Sequence, residues 1–155
     1  MHQEIERKFL VKASWQPQDE GTAICQGYLN SEQARTVRVR IRGSQAYLTI
    51  KGENHGIERL EFEYDIPVPD AKALLQLCEK PLLEKIRYTE SFAGHLWEID
   101  RFLGENEGLL VAEVEMASPD EKVSLPSWVS QEVSGDVRYY NSNLIKNPYK
   151  QWKKC

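Results

Sequence analysis

Ionisable residues recur in pairs at i, i+2 spacing from Glu4 to Glu115. The pairs are Glu4 and Glu6 (continued by Lys8), Arg38 and Arg40 (continued by Arg42), Glu61 and Glu63, Lys85 and Arg87, Glu98 and Asp100, and Glu113 and Glu115, with Lys51 in line behind Tyr47 and Thr49. Apolar residues fill the alternate positions, among them Ile5, Phe9, Val39, Ile41, Ile50, Phe62, Ile86, Ile99 and Val114. Neighbouring side chains of a strand point to opposite faces, so each charged pair projects in one direction. A sheet with one solvated face would account for the charges. It would not account for their segregation, with cations at 8, 38, 40, 51, 85 and 87 and carboxylates at 4, 6, 61, 63, 98, 100, 113 and 115. Cations gathered on one surface repel one another unless a dense anion joins them; arginine offers phosphoryl oxygens a bidentate fork and lysine a compact charge. The carboxylates suit either partners for those cations or oxygen ligands for a hard divalent ion, with Glu4, Glu6 and one carboxylate of a facing strand as candidates. Cations together with a metal are equipment for phosphoryl transfer. A glycosidase-type carboxylate pair would leave the cations without a role.

The elements that must position these groups are short strands. Period-two patterning predicts strands over 3–12, 23–29, 35–42, 45–51, 58–66, 83–91, 95–102 and 109–116, with turn signals at Gly43-Ser44, Gly52–Gly56 and Gly94. Such short connections favour antiparallel pairing. One segment differs: 70–78 reads as a helix with Asp70 as N-cap, closed by Pro81. The tail predicts short helical pieces opening at Ser118 and Pro126 and a last one over 139–146, and its Trp128, Val129, Val133, Leu144 and Ile145 need a surface to pack on. The expected fold is mainly β (α+β), an eight-stranded antiparallel closed β-barrel with a charged lumen and short flanking helices. It forms a single domain over 1–155, with barrel strands at about 3–116 and a helical tail at about 118–150.

Bulk properties bound the function. The 155 residues are 41% hydrophobic and 28% charged, the usage of one globular domain. A net charge of -4 argues against coating a nucleic-acid backbone while leaving room for a local cationic pocket. Cys25, Cys78 and Cys155 are odd in number and share no metal-ligand spacing, which predicts a reducing compartment. The opening MHQEIERKFLV has neither the apolar run of a signal peptide nor that of a membrane span, so the expected location is the cytoplasm. His2, His55 and His95 lack ligand spacing and read as surface or turn residues. The Gly52–Gly56 turn lacks the lysine and hydroxyl residue of a P-loop.

Glu4-Ile5-Glu6-Arg7-Lys8 matches the ExExK signature, and the chain resembles the CYTH family, also called triphosphate tunnel metalloenzymes. The resemblance continues through Gln26-Gly27-Tyr28-Leu29, Arg38-Val39-Arg40, Lys51, Glu61-Phe62-Glu63, Lys85-Ile86-Arg87, Glu98-Ile99-Asp100, Glu113-Val114-Glu115, and Asp136-Val137-Arg138-Tyr139 with Asn143 and Leu144. It implies an eight-stranded antiparallel barrel whose tunnel binds a linear triphosphate. By the same resemblance Lys8, Arg38, Arg40, Lys51, Lys85 and Arg87 hold phosphates, and Glu4, Glu6 and Glu115 bind Mg²⁺ or Mn²⁺. Glu61, Glu63, Glu98, Asp100 and Glu113 are left as supporting carboxylates. Tyr28 matches a tyrosine assigned as proton acceptor in the family, and Lys85, among other cations, is the alternative base. The implied activity is metal-dependent hydrolysis of inorganic triphosphate to diphosphate and phosphate. The alternatives are a class IV adenylate cyclase, a thiamine or nucleoside triphosphatase, or a polyphosphate-binding module without catalysis. A small-molecule triphosphate is the expected partner, without membrane or nucleic acid.

Overall fold

The computed structural model describes residues 2–152. Strands β1 (Gln3–Val11), β2 (Thr22–Asn30), β3 (Arg35–Arg42), β4 (Gln45–Gly52), β5 (Glu58–Ile66), β6 (Leu83–Phe92), β7 (His95–Phe102) and β8 (Leu110–Glu115) pair antiparallel in the spatial order β5-β4-β3-β2-β6-β7-β8-β1. Pairing of β1 with β5 closes the barrel, through Gln3 opposite Leu60, Glu4 opposite Arg59 and Ile5 opposite Glu58. A ninth strand, β9 (Val129–Glu132), lies against the later part of β1. Backbone parity explains how β1 serves three partners. The Ile5 carbonyl accepts from Met116 N–H at 2.8 Å on the β8 side, while on the other side Glu6 N–H donates to Ile57 O at 3.1 Å and the Lys8 carbonyl accepts from Val133 N–H at 2.8 Å. The second edge of β1 is thus shared, first by β5 and then by β9, which leaves no half of it unpaired.

Three apolar clusters hold the barrel. Outside β2–β4, Val39 and Ala46 pack under helix α1 (Val68–Leu77) through Ala71 and Leu75. Gly27 is required there, because a Cβ would lie 2.7 Å from Leu82 Cδ2 and 2.8 Å from Cys78 Cβ. On the opposite outer wall, Phe9, Trp97, Ile99, Ala112 and Val114 are covered by Trp15, Trp128 and Val129. The third cluster lies inside the barrel. Following the lumenal parity of each strand past its charges leads from Lys8 to Leu10, from Lys85 to Leu83, from Asp100 to Phe102 and from Glu113 to Val111. These apolar positions meet Tyr139, Leu144, Ile145, Tyr149 and Trp152 of the tail, which form a floor across one end of the lumen.

The period-two strands appear within about one residue of their expected limits, and the helix and tail differ. α1 starts at Val68, with Pro67 as N-cap and Pro69 in its first turn, so Asp70 is a first-turn acid and not the cap. Proline fits a first turn, whose N–H groups have no intrahelical acceptor. Bends and turns at 117–120 and 127–128 with irregular chain between them replace the expected helical pieces, and the chain then pairs as β9 because the free edge of β1 offers hydrogen bonds that short helices could not. The expected helix over 139–146 is a 3₁₀ turn at Val137–Tyr139 followed by α2 (Asn141–Leu144). His95 follows the Ala93-Gly94 turn at the start of β7, half-buried, and pairs with Glu121. Cys78 is buried and Cys25 half-buried, both as free thiols, and Cys155 lies outside the described residues. No helix among the described residues is long and apolar enough to cross a membrane. Leu144 is fully buried in the floor, so Leu144→Ala should lower stability by about 2–5 kcal/mol in urea unfolding monitored by tryptophan fluorescence.

Candidate functional site

The floor makes the lumen a blind cavity of about 220 Å³ whose wall carries Lys8, Arg38, Arg40, Arg42, Lys51, Arg59, Lys85 and Arg87 together with Glu4, Glu6, Glu61, Glu63, Glu98 and Glu113. The predicted cations therefore converge. Arg38, Arg40 and Lys85 are 7%, 7% and 1% exposed, far below the usual exposure of such residues. Each cation has internal partners. Lys51 donates to Glu4 at 3.0 Å and lies 3.4 Å from Glu61; Arg38 lies 3.5 Å from Glu63 and donates to Thr49 at 3.2 Å. Arg40 Nε donates to Gln26 Oε1 at 2.7 Å, and Lys8 donates to the Tyr139 carbonyl at 3.2 Å and lies 3.9 Å from Glu113. Arg87 grips Asp100 with two bonds of 2.8 and 2.9 Å and lies 3.4 Å from Glu98 and 3.5 Å from Glu113. Lys85 Nζ sits 2.7 Å from Asp100 and donates to Asn141 Oδ1 at 2.7 Å. Arg38 Nε is buried without a hydrogen-bond partner, an orphaned donor beside the cavity.

Burial and crowding set the protonation states. Burial lowers the Lys85 pKa to about 7; Arg87 and Arg40 press in the same direction, and Asp100 opposes them. Arg40 falls to about 9 through burial and the neighbouring Arg38 and Arg87. Burial would raise Asp100, but Lys85 and Arg87 override it and hold the carboxyl at about 2. Glu6 rises well above the carboxylate range, through burial first and then through Glu113 and Glu4. Glu113 moves the other way against its own burial, under Lys8, the hydrogen bond with Glu6, and Arg87. Glu115 is raised by partial burial and by Glu4 and Glu98.

The carboxylates thus divide. Asp100 is locked between Lys85 and Arg87, and Glu63 and Glu98 are outer partners of Arg38 and Arg87. Glu4, Glu6, Glu98, Glu113 and Glu115 crowd one another. Among the described residues no three of His, Cys, Asp or Glu are gathered closely enough to hold a metal ion as they stand. Glu115 stands opposite Glu6 in the β1–β8 register but is exposed and outside the cavity wall, whereas Glu113 is part of it. The donor set nevertheless fits a hard divalent ion: all donors are carboxylate oxygens, and Glu6 and Glu115 are raised by burial first and then by neighbouring carboxylates, a repulsion that a cation would relieve. Tyr28 is buried at the floor, and its hydroxyl accepts from Gln26 Nε2 at 3.4 Å.

Sequence reasoning did not single out Arg59, Gln26, Asn54, Tyr140 or Asn141 as site residues. Arg59 was within reach of the period-two pattern, lying two positions before Glu61. Asn54, Tyr140 and Asn141 come from a turn and from the tail, where no periodicity marks an inward side chain; Asn54 donates to the Tyr140 hydroxyl at 2.7 Å.

A closed barrel with a charged blind lumen defines a class, and residues 2–149 match the model of the CYTH domain: the chain belongs to that family. It is 48% identical over 155 residues, 99% of each chain, to an inorganic triphosphatase of Acetivibrio thermocellus. It is 35% identical to an inorganic triphosphatase of Nitrosomonas europaea, covering 91% of this chain and 95% of that one. A crystal structure of an inorganic triphosphatase superposes with a TM-score of 0.66 at 33% identity, covering 92% of this chain and 97% of that one.

Asp100 is the test of this electrostatic frame. Asp100→Asn should cost about 3–5 kcal/mol, because two buried cations lose a shared counterion. The native carboxyl, held at about 2 against an ordinary 3.8, contributes stability above the ordinary value and loses it as pH falls through about 2. The difference in unfolding free energy between wild type and Asp100→Asn should therefore shrink between about pH 4 and pH 2.

Proposed function

We propose that this protein is a metal-dependent inorganic triphosphatase, cleaving triphosphate to diphosphate and phosphate. The observation that carries the reading is the convergence of Lys8, Arg38, Arg40, Lys51, Lys85 and Arg87 on a blind lumen; two relatives that bear that activity in their names support it. The whole chain acts as one domain on a small-molecule triphosphate, and free Cys25 and Cys78 suit the reducing cytoplasm.

On binding, the phosphoryl oxygens replace internal acceptors. Arg38 turns from Glu63, Lys51 from Glu4 and Glu61, and Lys8 from Glu113, while the orphaned Arg38 Nε gains an acceptor. Release of Lys51 frees Glu4, so the substrate's arrival and the exposure of a carboxylate donor are coupled through one ion pair. Glu4, Glu6 and Glu115 would hold Mg²⁺ or Mn²⁺, and the ion would supply charge neutralisation and polarisation at a phosphoryl oxygen. Lys85, with a pKa near 7, is neutral in part of the population at physiological pH and accepts the proton of the attacking water. A water oxygen bonds to the terminal phosphorus, the bridging P–O bond breaks, and diphosphate leaves with the electron pair. The arginines retain the charge that spreads over the departing oxygens. Tyr28 is the floor's orienting hydroxyl, held by Gln26.

Purified protein with Mg²⁺ or Mn²⁺ should release phosphate from inorganic triphosphate faster than from thiamine triphosphate, ATP or GTP. Cyclic AMP as the main product would overturn the reading, and tight binding without turnover would make the chain a binding module. Glu4→Ala/Glu6→Ala should lose metal-dependent turnover while keeping its circular dichroism spectrum. In a pH series, kcat/KM should rise through about pH 7 as Lys85 deprotonates. Lys85→Ala should lower kcat roughly 10²–10⁴-fold and abolish that limb. Tyr28→Phe should retain it; the opposite pattern would transfer the proton to Tyr28.

A further inference from the structure

We propose that Asn141, carried into the barrel by the C-terminal segment, is the positioning residue of Lys85: its carboxamide oxygen fixes the direction of the amine without adding charge to it. The inference rests on the reading of Lys85 as the proton acceptor in triphosphate hydrolysis. Asn141 Oδ1 accepts from Lys85 Nζ at 2.7 Å and from Gln26 Nε2 at 3.2 Å. The orientation of both amides follows from Arg40, which can only donate. Its Nε at 2.7 Å claims Gln26 Oε1, Gln26 must turn its NH₂ toward Asn141 and the Tyr28 hydroxyl, and Asn141 must then present oxygen. The chain Arg40–Gln26–Asn141–Lys85 thus has one polarity, set at a guanidinium whose nitrogens offer only donors. Asn141 itself is held by the floor, since α2 also carries Ser142, which is buried, and Leu144, which is fully buried.

A neutral acceptor is what the position demands. Lys85 is faced by Asp100 on β7, Arg87 on its own strand, Arg40 on β3 and Glu113 on β8, with Lys8 on β1 beyond Glu113 and Tyr28 on β2 beyond Gln26. Phe102 lies beneath the amine, its ring centroid 5.4 Å from Nζ. A second carboxylate 2.7 Å from Nζ would hold the proton on the amine and end its use as an acceptor at neutral pH. An apolar residue would leave Gln26 Nε2 without this acceptor and free the amine to follow Asp100 alone. The carboxamide avoids both, and a lysine whose rest position is fixed loses less entropy when it meets the water.

The test compares wild type, Asn141→Asp and Asn141→Ala by two readouts. The first is the protonation midpoint of Lys85, followed by NMR of its ¹⁵Nζ or ¹³Cε in the full-length protein without substrate. The second is the pH dependence of kcat and KM for inorganic triphosphate with Mg²⁺. Asn141→Asp keeps the shape and adds charge, so the Lys85 midpoint should rise by about one unit or more, and the acid limb of kcat/KM should move to higher pH by the same amount. Asn141→Ala should lower kcat about tenfold with KM close to wild type. An unchanged Lys85 midpoint in Asn141→Asp would overturn the proposal, as would Asn141→Ala raising KM with kcat intact. If Asn141→Ala does not fold, the near-isosteric Asn141→Asp still decides. If wild type fails to hydrolyse triphosphate, the functional reading fails, while the NMR midpoints still report whether Asn141 governs Lys85.

Discussion

Eight lysines and arginines among the described residues line one lumen, and their mutual repulsion is the constraint on which the rest of the structure depends. Burial removes the water that would otherwise screen them; after burial, Arg87 and Arg40 push the Lys85 pKa down, and Arg38 and Arg87 do the same to Arg40. The protein answers with carboxylates placed on neighbouring strands. Asp100 takes Lys85 and Arg87, Glu4 takes Lys51, Glu63 takes Arg38 and Glu113 takes Lys8. Antiparallel register makes this possible, since cross-strand partners such as Lys8 and Glu113, or Arg87 and Asp100, stand directly opposite one another. In the proposed reaction these pairs give way to phosphoryl oxygens. Asp100 is the exception, since a carboxyl held near 2 is a permanent member of the frame.

Lining the lumen with charge displaces the apolar core to other places. Two clusters lie outside the barrel, under α1 and under the Trp15–Trp128 cover, where Trp97 meets Phe9 at 5.6 Å and Trp128 at 5.6 Å between ring centroids. The third occupies the end of the lumen, where the same strand faces that carry charge switch to Leu10, Leu83, Phe102 and Val111. The tail that completes this floor also delivers Asn141 to Lys85 and the Tyr139 carbonyl to Lys8. Stability and chemistry therefore share one segment, and damage to the floor reaches the amine through Asn141 and through Phe102 beneath it.

Much of this was legible in the sequence because a strand reports its faces every second residue. Glu4, Glu6, Lys8, Arg38, Arg40, Lys51, Lys85 and Arg87 were readable as inward groups from spacing alone, and the eight barrel strands follow from the same alternation. The parts that were not legible depend on partners distant in the chain. β9 forms because half of one edge of β1 stays open after β5 has closed the barrel, and nothing in Val129–Glu132 announces that. The early start of α1 at Val68 lies in proline's tolerance for a first turn, which an N-cap rule centred on Asp70 misses. Asn141 is one polar residue in an aperiodic tail, and its role exists only where Gln26 and Lys85 meet it.

The central claim is that the lumen's cations exchange internal carboxylates for the oxygens of a linear triphosphate. Calorimetric titration of the metal-free protein with inorganic triphosphate in EDTA, where turnover is arrested, tests it directly, with diphosphate and phosphate as references. The account predicts saturable one-to-one binding in the order triphosphate, diphosphate, phosphate, because each added phosphoryl group reaches further cations of the array. Equal affinity for all three anions, or no saturable binding of triphosphate, would contradict it.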